Sequence, residues 1–137
     1  MKRFFADTSY FIAMIVPNDV AHEQALACAE EPLCLVTTAW VMTELAAYLS
    51  APPNRPLFNT LLASLRVHPA VNFIPATQEA FDRGAELYAT RADKAWSLVD
   101  CISFNIMRHE GLTDALTTDH HFTQAGFNAL LANAGKP

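Results

Sequence analysis

The sequence predicts a single α/β domain with a mainly parallel central sheet of about five strands, flanked by helices on both faces. Three observations carry this. Short apolar segments bounded by turn residues alternate with longer stretches of helical spacing, the pattern of successive strand–helix–strand units. A length of 137 residues with 52% hydrophobic content suits one compact globule spanning 1–137, without repeats, low-complexity segments or linkers. Two carboxylates, Asp7 and Asp119, fall just beyond strand-like segments, where parallel sheets bind their ligands.

Taken in order, Arg3 to Ala6 reads as the first strand, and Asp7-Thr8-Ser9 supplies capping residues for the apolar helical run Tyr10 to Val16, which Pro17-Asn18 ends. Asp19 to Glu30 has helical spacing, with Val20, Ala25, Leu26 and Ala29 partly inward and His22, Glu23 and Gln24 solvated. Leu33 to Thr37 is a second strand, and Thr38 caps a helix from Ala39 to Leu49. Ala51-Pro52-Pro53-Asn54 turns the chain into a helix from Pro56 to Val67, so that these two helices form an apolar hairpin. Val71 to Pro75 is a third strand, and Thr77 caps a helix reaching Ala92. A helix carrying Asp100 follows, stopped by Gly111; Ala115 to Thr118 is a fourth strand and Phe127 to Ala132 a fifth. The tail from Asn133 to Pro137 is expected to fray.

Composition narrows the function. No apolar run approaches the roughly 18–20 residues of a membrane span, and Met1-Lys2-Arg3 leads too soon into Asp7 for a signal peptide, so a soluble, cytoplasmic protein without membrane contact is expected. Cys28, Cys34 and Cys101 lack metal-ligand spacing and sit among apolar neighbours, as reduced core thiols do. A formal net charge of -5 argues against nonspecific coating of nucleic acid. It leaves room for an acidic metal site acting on RNA, where bound cations supply positive charge at the phosphate.

Four carboxylates stand alone in charge-poor sequence. Asp7 is the only charge between Arg3 and Asp19, Glu44 between Glu31 and Arg55, Asp100 between Lys94 and Arg108, and Asp119 between Asp114 and Lys136. Asp7 and Asp119 can be read as helix caps. Glu44 and Asp100 lie within helical segments and are not expected to cap. A carboxylate in apolar surroundings shifts its pKa, pairs with a cation or binds a metal. With nine Lys and Arg in the chain and none inside these windows, a hard divalent cation held by oxygen ligands answers all four acids at once. His120 and His121, as sequence neighbours, should point apart, so that at most one enters such a site and surface or capping roles are favoured. Asp93, beside Arg91 and Lys94, reads as a surface ion pair.

Asp7-Thr8-Ser9 after the first strand, Thr43-Glu44-Leu45 in a helix, Trp96-Ser97-Leu98-Val99-Asp100-Cys101, and Thr117-Thr118-Asp119-His120-His121-Phe122 followed by Gln124-Ala125-Gly126-Phe127 together resemble the PIN-domain endoribonucleases, and within them the VapC-type toxins of prokaryotic toxin–antitoxin pairs. The resemblance covers essentially the whole chain. It implies a single PIN-like domain in which Asp7, Glu44, Asp100 and Asp119 bind Mg²⁺ or Mn²⁺ and catalyse hydrolysis of RNA phosphodiester bonds, with Ser9 and Thr118 similar to supporting polar residues. It also implies a homodimer and a small antitoxin protein as partner, for which the apolar hairpin from Val41 to Val67 offers a surface.

Two other classes compete. A phosphotransfer domain would use Asp7 as nucleophile, but Thr8-Ser9 lacks the second acid of a phosphatase D-x-D loop and no strand-end lysine is evident. A non-catalytic PIN-like module that binds RNA or a partner is expected to have lost an acid, and all four are present.

Overall fold

The computed structural model describes residues 2–135. Strand β1 (Arg3–Ala6) passes straight into helix α1 (Thr8–Ile15), then α2 (His22–Glu30) and β2 (Cys34–Thr38). Helix α3 (Ala39–Tyr48), a short 3-10 turn at Pro52–Asn54 and α4 (Arg55–Val67) lead to β3 (Val71–Ile74). Helices α5 (Gln78–Thr90) and α6 (Leu98–His109) precede β4 (Asp114–Leu116), and α7 (His120–Gln124) precedes β5 (Asn128–Ala129).

The five strands form one sheet in the order β3-β2-β1-β4-β5, and every pairing is parallel. The expected mainly parallel sheet is therefore wholly parallel. From β1 the chain steps outward through β2 to β3, then crosses back to add β4 and β5 on the other side. Right-handed crossovers taken in opposite directions put their helices on opposite faces of the sheet. The reversal lies between β1 and β4, where Ala6 pairs with Leu116 and the Asp7 amide donates to the Leu116 carbonyl at 3.2 Å. A crevice opens at such a point because the loops leaving neighbouring strands diverge to opposite faces.

Both faces of this sheet are covered, so its strands read as apolar runs without alternation. Phe5, Ala6, Val36, Ala115 and Leu116 are almost completely buried. An aromatic column continues the core beneath the crevice: Phe104 packs edge-on against Phe122 at 4.9 Å and against Trp96 at 5.0 Å, and Phe122 leans on Phe5. This column ties the middle of α6 and the segment before it to α7 and β1. Helix α6 is set further by Gly84 of α5, where an added Cβ would lie 2.2 Å from Ile102 Cγ1. Gly111, with φ of 69°, stops α6, and the Leu112 amide behind it donates to the Met107 carbonyl at 2.8 Å.

Several local expectations are corrected. Helix α2 begins at His22 rather than Asp19, because the Asp19 carboxylate accepts from the Ala21 amide in a turn that leaves Val20 exposed; Leu26 and Ala29 are exposed too. His22 is half-buried, its Nδ1 2.7 Å from the Ala13 carbonyl oxygen, rather than solvated. The fifth strand shortens to Asn128–Ala129 because Leu131 turns inward, where its amide reaches the Thr117 carbonyl and its side chain is buried. From the expected frayed tail, the Ala134 amide closes a turn on Leu131 and Gly135 lies against Val20; Lys136 and Pro137 lie outside the described residues. No helix among the described residues is long and apolar enough to cross a membrane.

Candidate active site

Each of the four solitary acids reaches the crevice from a different segment. Asp7 follows β1, whose three core residues leave no room for the chain to drift, and occupies the N-cap position of α1 without capping it through its side chain. Glu44 projects from the middle of α3, which Thr38 caps by accepting from the Val41 amide. Asp100 stands in the first turn of α6. Asp119 caps α7 after β4, its Oδ1 accepting from the His121 amide at 2.9 Å. Together with Thr8, Ser9, Tyr48, Ser97, Thr118 and His121 these acids line a cleft of about 550 Å³ at the carboxyl end of the sheet. A larger groove of about 680 Å³ between α5 and α6 carries mixed charges from Glu79, Arg83, Glu86 and Arg108 and holds none of the four.

Every acid is held by protein donors, and none of these is Lys or Arg among the described residues. Thr117 Oγ1 donates to Asp7 Oδ2 at 2.8 Å, and Thr8 Oγ1 donates to Glu44 Oε1. Asp100 Oδ2 accepts from the Ser97 amide at 3.0 Å while Ser97 Oγ accepts from the Asp100 amide, a reciprocal capping box. The expectation that Asp100 does not cap is thus overturned, because Asp100 sits at the third helical position, where a short carboxylate reaches back to the first free amide. Asp93 keeps to the surface, bridged by Arg91 at 3.0 Å and approached by Lys94 at 3.8 Å.

Thr117 is the hub. A hydroxyl has one hydrogen to give, and Thr117 gives it to Asp7, so its contact with Ser9 Oγ at 3.1 Å must take the Ser9 hydrogen; it also accepts from the Asp119 amide at 3.0 Å. Ser9 Oγ in turn accepts from the Thr118 amide at 3.0 Å. Of the two supporting residues expected, Ser9 contributes its side chain and Thr118 its backbone. The hydroxyl that reaches Asp7 is that of Thr117, fully buried next door.

The sequence allows at most one of the neighbouring histidines into the site and favours surface or capping roles for both; the structure brings in His121. Its Nδ1 lies 3.1 Å from Asp100 Oδ2 and 3.3 Å from Asp119 Oδ1, inside the cleft rather than in a surface or capping position. His120 does stay outside, with its side chain 73% exposed and Nδ1 3.8 Å from Asp119.

The electrostatics are those of a site short of positive charge. Asp7 is 5% exposed, and burial pushes its carboxyl up to about 7; hydrogen bonds from Thr117 and the Thr8 backbone oppose that rise, while the charges of Asp100 and Glu44 add to it. Burial raises the Asp100 carboxyl as well, the Ser97 amide opposes this, and the charge of Asp119 raises it further. Four carboxylates lining one cleft without a Lys or Arg partner among the described residues are the donor set of a hard divalent cation, so the residues fit Mg²⁺ or Mn²⁺. Asp119, His120 and His121 also bring one donor atom each within 4.8 Å of one another at the rim of the same cleft.

Known proteins share this arrangement of the chain. The PIN domain pattern matches residues 4–128. VapC20 of Mycobacterium tuberculosis, a 23S rRNA-specific endonuclease, is 27% identical over 124 residues covering 90% of this chain and 94% of that protein. The crystal structure of VapC20, a sarcin–ricin loop cleaving toxin, matches with a TM-score of 0.80 and 26% identity over 90% of this chain and 95% of the other. VapBC2 from Rickettsia felis, solved on promoter DNA, has a TM-score of 0.65 at 12% identity over 93% and 97% of the two chains. FitAcB from Neisseria gonorrhoeae has 0.65 at 19% over 92% and 94%. The last two speak for the fold alone. With the match running through all but the chain's ends, over a parallel sheet whose switch point gathers four acids, this chain belongs to the PIN domain family.

Proposed function

We propose that this chain is a metal-dependent endoribonuclease, the toxin of a type II toxin–antitoxin pair, acting in the cytoplasm. The observation that carries the reading is the convergence of Asp7, Glu44, Asp100 and Asp119 from four segments on one cleft without a Lys or Arg partner among the described residues. Similarity to a 23S rRNA-specific endonuclease over nine-tenths of the chain supports RNA as the substrate.

In this reading Asp7, Glu44, Asp100 and Asp119 hold one or two divalent cations, Mg²⁺ or Mn²⁺. A bound cation supplies Lewis acidity, lowering the pKa of a water and stabilising charge on the scissile phosphate. The protein's share is to fix the acids: Thr117, Thr8 and Ser97 orient three of them through hydrogen bonds that cost no rearrangement during reaction. Glu44 and Asp119 are only half-buried, which supports one of them as the group that would take a water's proton. A phosphotransfer role for Asp7 is disfavoured, since Thr8-Ser9 puts no second acid two residues beyond it.

The hairpin of α3 and α4 exposes Tyr48, Leu57 and Val67, an apolar surface suited to a second copy of the chain and to an antitoxin. A sedimentation experiment at micromolar concentration tests the homodimer. Incubation of the purified chain with RNA, with Mg²⁺ or Mn²⁺ and with EDTA, tests the activity: cleavage should require the cation. Cleavage unaffected by EDTA would remove the metal from the reading, and absence of cleavage under all conditions would favour a binding module.

A further inference from the structure

We propose that His121 is a positioning residue, a clamp whose Nδ1–H donates to the Asp100 carboxylate while Nδ1 lies against that of Asp119, holding the two at the spacing that cation binding needs. Three observations place it there. Nδ1 is 3.1 Å from Asp100 Oδ2 and 3.3 Å from Asp119 Oδ1. Each of those oxygens already accepts a backbone amide, from Ser97 and from His121 itself. The side chain is four-fifths buried, against the freely exposed ring of His120.

An ionised carboxylate only accepts, so a bare Nδ1 lone pair facing two such oxygens would be repelled by both. A hydrogen therefore sits on Nδ1, and the ring joins α6 to α7 on the cleft side, where the packing of Phe104 on Phe122 does not reach the acids. Asp100 rides on α6 and Asp119 on the turn into α7. Their charges repel, and without a donor between them the metal-free site would relax by moving them apart, so that a cation would first have to draw them together. Direct ligation by Nδ1 would need the opposite tautomer and the loss of both contacts.

The inference rests on the metal-site reading above, but its first test needs no metal. Long-range nitrogen–proton NMR of the cation-free chain should show a proton on Nδ1 of His121; a ring protonated on Nε2 alone would overturn the clamp. The second test compares isosteres. The amide nitrogen of Asn overlies Nδ1 and that of Gln overlies Nε2, so Mn²⁺ affinity, measured by calorimetry, should fall by about 10- to 100-fold in His121→Gln and His121→Ala yet stay within about threefold in His121→Asn, the range seen when outer-shell partners of metal ligands are removed. Equal losses in the Asn and Gln variants would overturn the proposal. So would a directly bound nitrogen in the electron spin-echo spectrum of the Mn²⁺ complex, which would make His121 a ligand. If the unaltered chain bound no Mn²⁺, the metal reading would fail by itself, and the tautomer would still decide the clamp.

Discussion

Replacing Asp7 by Asn should make the metal-free protein more stable and the enzyme inactive. The carboxyl is raised from 3.8 to about 7, chiefly because burial penalises the charge. Since the folded-state value lies above the unfolded one, the native protein binds more protons between these limits, and stability is lost as pH rises from about 4 to about 7. Three pK units at 1.36 kcal/mol each set that loss at about 4 kcal/mol above pH 7. Asn is never charged and still offers an oxygen to the Thr117 hydroxyl, so Asp7→Asn should recover most of it. We expect a gain of about 3 kcal/mol at pH 8, or about 10 °C in Tm, shrinking towards zero at pH 4. Thermal unfolding of both proteins in EDTA at pH 4, 6 and 8 measures this, and Mn²⁺ at pH 8 should raise the melting temperature of the unaltered protein alone. A variant less stable than its parent at pH 8 would refute the electrostatic argument; full activity in Mg²⁺ would remove Asp7 from the site.

Asp100→Asn should leave stability equal or higher at pH 8, because Asp100 lacks a Lys or Arg partner among the described residues and Asn can still accept from the Ser97 amide. Cleavage should vanish and the Mn²⁺-induced rise in Tm should shrink; a loss of about 3 kcal/mol would instead mark a buried charge pair. Thr117→Val keeps the shape but strips Asp7 Oδ2 and the Asp119 amide of a partner, so urea unfolding should show a loss of about 1–3 kcal/mol, with Thr117→Ser close to the parent. Gly84→Ala drives a methyl into Ile102 on α6 and should cost about 1–3 kcal/mol by the same measurement; an unchanged midpoint would show that α5 and α6 part easily.

How far the sequence announces this site depends on how local each signal is. Asp7, Glu44, Asp100 and Asp119 are legible because a lone charge in a long apolar stretch stands out without any knowledge of the fold. The Ser97-x-x-Asp100 capping box is equally local, but reading Asp100 as an acid within a helix overlooks it. Thr117 and Thr118 are not separable in this way. A strand buried on both faces shows no alternation, so nothing tells which hydroxyl faces Asp7. His121 is less legible still: its meeting with Asp100 depends on the angle between α6 and α7, which the packing of Phe104 on Phe122 fixes. The five residues of α7 and the two of β5 are too short for any periodicity to register.

The strand order also governs when the four acids can come together during synthesis. Asp7 leaves the ribosome well before Asp119, and β1 cannot complete its second edge until β4, far downstream, slots in beside it. At about 5–20 residues per second, the interval between synthesis of Asp7 and of Asp119 is roughly 6 to 22 seconds. Throughout that time the nascent chain carries an incomplete acid set and, on the proposed function, lacks a complete cation site. The same delay leaves the β1 edge, with Phe5 beside it, open to mispairing with other growing chains, a hazard that ends when β4 arrives and the last acid falls into place.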